Sequence, residues 1–360
     1  MMSNSRVVVF RPGALGDTIV AADALAAIRG SFPSQCTELV GNASAAALLQ
    51  ASGLVDVVTS FDSLDVAGLF GRTPTVAARW RDAELVVLWL KDAEKIAQAF
   101  RNAGTRRVVA ANPRPAPSSG ARPHPPSAPT WRVARDAAPT RVASPGGRGE
   151  TVHISDYLLE TLRSAGAVPV STAPTLLRPP TWSGQKSTSG HNALLHPGSG
   201  SPSKNWPPDR FAALATRLLE QGWIVRLLRG PADADAIANV RALASESRIA
   251  VEEPADVAAL ANILTSADLY VGNDSGVSHV SARLGVPTVA VFGPTDPNEW
   301  APRGPRVSVV DGAGAWPSLE RVWDALHPLI AQTVGARKQE SGATGLDARA
   351  SPGRTRRQRE

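Results

Sequence analysis

The chain of 360 residues holds a single cysteine, Cys36. One thiol cannot build a disulfide framework or a cysteine metal cluster, which fits a reducing cytoplasm. The six histidines are scattered without zinc spacing, so no metal site is expected. No run of about 18 apolar residues exists, and so no membrane span is expected. The N-terminus does not read as a signal peptide, because Arg11, Pro12 and Asp17 break the apolar run that begins at Val7. No predicted strand is followed by G-x-G-x-x-G, and G-x-x-x-x-G-K-[ST] is missing altogether. This disfavours nicotinamide enzymes and P-loop nucleotide hydrolases.

Positive charge is scarce on the folded body. The net charge is +6, but residues 111–150 hold six arginines against Asp136 and Glu150, and residues 337–360 hold seven Arg or Lys against Glu340, Asp347 and Glu360. Each segment carries +4, which leaves −2 for everything else. A nucleic-acid partner wants a basic face on a fold, so none is expected. Attraction of the two basic segments to anionic lipid headgroups stays open.

What remains is an ordinary globular composition, 43% hydrophobic, long enough for two domains. Strands are predicted at 6–10, 39–40, 55–59, 85–88 and 108–110, with helices at 18–29, 43–51 and 93–102 between them. Strands alternating with helices argue a parallel, doubly wound sheet. Residues 112–149, dense in Pro, Ala, Arg, Ser and Gly, cannot bury enough apolar surface to order themselves. Helical spacing returns at 155–165, and 179–190 reads as a hinge. The alternation then repeats: strands at 192–195, 224–228, 249–251, 269–271, 288–292 and 307–310, and helices at 208–220, 233–245, 255–265, 276–284 and from Ser318 to about Thr333. The domains are thus expected at 1–178 and 190–336, with a disordered basic tail at 337–360.

The stretch 267–297 is the most informative. Strand, tight turn, helix and strand form a βαβ unit, and its turn carries Asp274, Ser275, Gly276 and His279. Ser275 and His279 are four apart and share a helix face. Free N–H groups at such a helix start suit a phosphate, although a plain capped turn would look the same.

Three stretches, in this order and spacing, resemble bacterial glycosyltransferase family 9, the ADP-heptose:lipopolysaccharide heptosyltransferases. They are Arg11-Pro-Gly-Ala-Leu-Gly-Asp17, then His196-Pro-Gly-Ser-Gly-Ser-Pro-Ser-Lys204-Asn-Trp206-Pro207, and Gly272-Asn-Asp274-Ser-Gly276-Val-Ser-His279. The resemblance covers roughly 5–335 without the Pro/Arg-rich insert, which, like the tail, lies outside the family pattern. It implies a GT-B fold, α/β, with two Rossmann-like domains of parallel sheet facing across a cleft. It also implies an inverting, metal-independent transfer from a nucleotide sugar, ADP-heptose, to a lipid-linked saccharide at the cytoplasmic face of the inner membrane. The donor would be a substrate, and no cofactor is expected.

Residue chemistry points the same way. An acceptor hydroxyl attacking an anomeric carbon must lose a proton, and Asp17 is the candidate base; it is also a candidate N-cap for the helix at 18–29. Gly13 and Gly16 keep that acceptor-side loop slim. Arg11 is either an acceptor contact or a surface arginine, and Asp23 points elsewhere. The leaving diphosphate needs a cation or aimed dipoles. Lys204 is the candidate, with Ser199 and Ser201 as hydroxyl donors; the alternative for Lys204 is a solvated loop lysine. Asp274, Ser275, Gly276 and His279 would hold the diphosphate and the sugar. Asp233 and Asp235 read as carboxylates opening a helix, and Trp206-Pro207 as loop packing. The alternatives are a nucleotide-sugar epimerase of similar form and a non-catalytic nucleotide-sugar-binding module.

Overall fold

The computed structural model describes residues 6–115, 151–168, 171, 173–178, 190–244 and 249–346. The disorder expected at 347–360 and over most of 112–149 lies outside the described residues, as does nearly all of the expected hinge at 179–190.

In the first half, β1 (Arg6–Arg11), α1 (Leu15–Ile19), α2 (Ala22–Ser31), β2 (Cys36–Gly41), α3 (Ala43–Ala51), β3 (Val57–Ser60), α4 (Leu64–Ala67), β4 (Leu85–Trp89), α5 (Glu94–Asn102) and β5 (Arg107–Ala111) follow in order, and α6 (Ile154–Thr161) closes the set. The strands make a parallel sheet in the order β3-β2-β1-β4-β5. Period-two alternation sends Val8 and Phe10 to one face and Val7 and Val9 to the other, all fully buried. On the first of those faces Phe10 meets Trp80 and Phe100 edge-on, at 5.3 and 5.7 Å between ring centres.

The second half runs β6 (Asn192–His196), α7 (Pro208–Glu220), β7 (Ile224–Leu228), α8 (Ala234–Ala244), β8 (Ala250–Glu252), α9 (Val257–Ser266), β9 (Leu269–Asn273), α10 (Gly276–Arg283), β10 (Thr288–Phe292), α11 (Pro297–Trp300), β11 (Val307–Asp311) and α12 (Leu319–Leu346). Its sheet is parallel in the order β11-β10-β9-β6-β7-β8. Ala193 and Leu195 share a core with α7 and α12, whereas Leu194 belongs to the other face's core.

One apolar core joins the halves: Leu25, Leu48 and Leu158 of the first share it with Leu260, Leu264, Tyr270 and Val280 of the second. An apolar interface of this kind holds two domains together more firmly than a polar one would.

β2 is longer than the expected 39–40, α6 ends at Thr161 rather than 165, and the short α4 and α11 were not expected; two further differences are larger. The single helix at 18–29 is two, α1 and α2, offset at Val20-Ala21. The Val20 carbonyl is taken up there by the Ser155 hydroxyl at 3.0 Å. The last helix continues to Leu346 rather than ending near Thr333, so the expected tail begins in helical backbone. Ala336, Arg337, Lys338, Gln339 and Glu340 after Gly335 are all good helix formers, and the helix runs on through Gly342 and Gly345.

Candidate functional site

Each sheet reverses its strand order once, between β1 and β4 and between β6 and β9. Open parallel sheets bind ligands beyond the carboxyl ends of the strands at such a point. All three motifs lie there: 11–17 after β1, 196–206 after β6, and 272–279 where β9 turns into α10.

In the first loop, Gly13 has φ +144°, and a Cβ on it would stand 2.7 Å from the Asp17 Cβ. Only glycine fits. The turn makes Ala14 the N-cap of α1 and Asp17 its third residue, with Asp17 Oδ2 accepting the Ala14 N–H at 3.2 Å. Asp17 therefore caps α1 from inside its first turn, not as the N-cap of a helix at Thr18. Arg11, expected at the acceptor side or on the surface, is only 1% exposed. β1 carries it inward, where Nε donates to the Asp17 carbonyl (3.0 Å) and Nη1 to the Pro113 carbonyl (2.7 Å). Its Nη2 lies 3.7 Å from Asp17 Oδ1. From the solvent side Arg114 reaches the same oxygen at 3.4 Å and stacks over Trp300, 4.8 Å from the ring centre.

The second and third motifs are joined by side chains. Asn273 is fully buried; its Oδ1 accepts the Trp206 N–H at 2.9 Å, and its Nδ2 donates to the carbonyls of Pro197 (2.9 Å) and Gly198 (3.1 Å). This holds the 197–206 loop against the end of β9. Lys204 Nζ then meets Asp274 Oδ2 at 2.8 Å, the carboxylate buried and the ammonium about one-third exposed. Trp206 packs the loop as expected, edge-on to Phe211 at 5.1 Å. Ser275 is the N-cap of α10 and accepts the Ser278 N–H; the first-turn N–H groups of a helix have no partner within the helix itself. The hydroxyls of Ser199 and Ser201 are held within their own loop: Ser199 donates to the Ser201 carbonyl at 2.6 Å, and Ser201 lies 2.9 Å from Ser203.

Under this loop lies a buried polar cluster that the sequence reading missed. His196 Nε2 and Asp233 Oδ2 are 2.9 Å apart, and the same carboxylate oxygen accepts the Gly230 N–H at 2.7 Å. Burial works to raise the Asp233 carboxyl, but the bond from His196 and the Gly230 N–H hold it below the usual carboxylate range. Asp235 alone sits in the first turn of α8. Asp233 marked only a helix start in the sequence, because nothing linear connects it to His196. Asn273 stood in the sequence as one letter of the third motif, with no site role attached.

The motifs of the two halves touch. A Cβ on Gly276 would stand 2.7 Å from the Gly16 N, and one on Gly16 would stand 3.3 Å from the Gly276 Cα. Gly276 is therefore required for the close approach of α1 and α10, and Gly16 leaves it little slack, beyond slimming a loop. That approach brings His279 next to Asp17. Burial pushes the His279 imidazole down to about 4; Asp274 and Asp17 pull against this, while Arg283 and Lys204 add to it. It is a neutral imidazole at pH 7, with Asp17, Asp274 and Lys204 all within electrostatic reach. Among the described residues no group of three or more His, Cys, Asp or Glu could hold a metal ion.

Two Rossmann-like halves with facing switch points define the GT-B architecture of glycosyltransferases. Residues 172–324 match the model of glycosyltransferase family 9 (heptosyltransferase), so the second half of the chain is similar to that family. Lipopolysaccharide heptosyltransferase 1 of Pseudomonas aeruginosa is 39% identical over 95 residues, 26% of this chain and 26% of that protein. The match thus spans about a quarter of that curated relative. Among solved structures, a family 9 glycosyl transferase from Veillonella parvula superposes with a TM-score of 0.66 at 18% identity, covering 91% of this chain and 97% of that one. The E. coli heptosyltransferase WaaC, solved with ADP, gives 0.60 at 17% identity over 91% and 99%. The GT-B fold therefore extends over both halves.

Proposed function

We propose that the protein is an inverting glycosyltransferase that moves a heptose from ADP-heptose to a saccharide of the lipopolysaccharide core. The observation that carries this reading is the contact of Gly16 with Gly276, which places His279 where it feels Asp17 of one half together with Asp274 and Lys204 of the other. A nucleotide sugar bound at the β6–β9 switch point would have its diphosphate at Lys204 and at the first-turn N–H groups of α10. Its anomeric carbon would then face the first half. An acceptor hydroxyl entering beside Asp17 gives up its proton to the Asp17 carboxylate as its oxygen bonds to the anomeric carbon. The bond to the diphosphate oxygen breaks on the opposite face, and the configuration inverts. The charge gathering on the departing ADP is met by Lys204 and the helix start. Asp274, one of whose carboxylate oxygens holds Lys204, would accept from the sugar hydroxyls with the other.

Lys204 and the helix dipole supply the positive charge that a divalent ion gives in other transferases, so the reading includes transfer without metal. Turnover that EDTA abolishes and Mg²⁺ restores would refute that part. The partners are then an ADP-sugar donor and a lipid-linked acceptor, reached at the cytoplasmic face of the inner membrane. None of the described helices is long and apolar enough to cross a membrane, so contact with the membrane would be peripheral. The test incubates the full chain with ADP-heptose, with and without a core saccharide acceptor. ADP release that depends on acceptor, with an inverted anomeric centre in the product, is the expected result. Free sugar released without acceptor would indicate the epimerase alternative, and binding without turnover the binding module.

A further inference from the structure

The helices that carry the two sides of the site are tied together a second time, away from the chemistry. Seven residues after Gly16 comes Asp23, on α2; seven after Gly276 comes Arg283, the last residue of α10. On α10 this spacing is two helical turns; on the other side it crosses the offset between α1 and α2. Arg283 Nη1 and Nη2 each donate to one carboxylate oxygen of Asp23, both at 2.6 Å. The side chains are 3% and 11% exposed. Between them runs Thr175, whose N–H donates to Asp23 Oδ1 (2.8 Å) and whose carbonyl accepts from Arg283 Nη1 (3.1 Å). The Leu177 N–H donates to the Arg283 carbonyl at 2.9 Å. The strand of chain leading from one half to the other is therefore clamped in the same joint. Burial opposes ionisation of Asp23, yet the Arg283 fork and the Thr175 N–H hold its carboxyl below the usual range.

A buried ion pair is poor value as a source of stability, since its desolvation cost roughly cancels its attraction. Its geometry is the more informative property. α1–α2 and α10 advance in the same direction, pinned at one end by Gly16 against Gly276 and at the other by Asp23 against Arg283. Asp17 follows the first pin directly, and Ser275 and His279 flank it on α10. We propose that Asp23 and Arg283 are positioning residues that set the register of the Asp17 helix against the nucleotide-binding end of α10. This rests on the reading of Asp17 as the base. The separation between base and anomeric carbon is then fixed by a fork-on-carboxylate joint, which tolerates little sliding.

The test is a double variant, Asp23→Asn with Arg283→Gln, which removes both charges and keeps hydrogen-bonding groups for Thr175. It is made in the wild-type chain and in an Asp17→Asn background, with kcat and the Kd for ADP measured in all. In the wild-type background kcat should fall by about 10- to 100-fold, the scale of a misplacement near 1 Å, with the Kd for ADP within about twofold. In the Asp17→Asn background the same change should cost less than about twofold, because no base remains to misplace. Equal losses in both backgrounds, a loss of ADP affinity in step with kcat, or no loss at all would overturn the proposal. Full turnover by Asp17→Asn alone would defeat the base reading and the proposal with it. An inactive Asp17→Asn combined with additive losses would defeat the proposal alone. Should the double variant fail to fold, Arg283→Lys keeps the charge without the fork and should show the same dependence on background.

Discussion

The two switch points of this molecule are built differently. At the β6–β9 point Asn273 stitches the 197–206 loop to the sheet with three hydrogen bonds, Lys204 is locked to Asp274, and His196 with Asp233 underlies the whole. At the β1–β4 point one glycine turn, one buried arginine and one backbone N–H hold Asp17, and its remaining partner, Arg114, is well exposed. A dense buried network fixes side chains in one arrangement. A sparse one leaves the surroundings of Asp17 freer to rearrange, as a bulky acceptor would need under the proposed function. The family 9 match falls on the dense side, at 172–324. Under the proposed function, a nucleotide diphosphate would be the constant ligand that suits a rigid cradle, and the saccharide acceptor the varied one.

If that contrast holds, damage at the two points should differ in kind. The largest effect is expected from Asp17→Asn, which keeps the shape and the capping oxygen. kcat should drop by about 10²–10⁴-fold with ADP affinity and melting temperature nearly unchanged. Steady-state kinetics beside calorimetric ADP titration decides it; unfolding, or intact turnover, would make Asp17 a structural cap.

Lys204→Ala should cost roughly 10²-fold in kcat, as for other lost charge stabilisers. It should weaken ADP binding as well, which Asp17→Asn should not. Turnover within about threefold of wild type would reduce Lys204 to a loop lysine.

Asn273→Ala leaves three backbone groups of the donor loop without their side-chain partner. Denaturant unfolding should report a loss of about 2–4 kcal/mol. Arg114→Ala, at the exposed pair of the other point, should change stability by less than about 0.5 kcal/mol. Equal losses would erase the contrast between the two regions.

The smallest effect concerns acid. His153 Nδ1 accepts the Ser155 N–H at 3.1 Å, and its Nε2–H donates to the Ala301 carbonyl at 2.9 Å across the two halves. Burial, helped by Arg303, pushes its imidazole down to about 3, as burial pushes that of His279 to about 4. Unfolded histidines titrate near 6.5, so between that pH and about 4 the unfolded chain binds protons the folded one refuses. Stability from these groups is whole above pH 6.5 and declines as pH falls toward 4. His153→Asn, which can still cap α6, should flatten the fall in melting temperature across that window. An unchanged slope would show that His153 does not contribute to it.

Much of the architecture was legible in the chain itself. Short β-prone runs alternating with helical spacing announced two parallel sheets, because a strand buried on both faces must be apolar throughout. Asp17, Lys204, Asp274 and His279 stood out through the three motifs that resemble family 9, although a helix cap, a loop lysine or a plain capped turn would look the same in the sequence. The break between α1 and α2 was not legible, since Val20 and Ala21 carry no breaker and the offset depends on Ser155, far along the chain.

Local pattern, then, determined the elements, their order and the loops that carry polar groups, because periodicity and turn chemistry act over a few residues. Only the tertiary structure decided which of those groups meet. Arg11 went inward because β1 alternates against α6 and the 113 carbonyl; Asp23 found Arg283 across 260 residues; Gly16 and Gly276 proved to be one contact. Such pairings depend on how two sheets and their helices pack, and burial then sets the charge each group can bear.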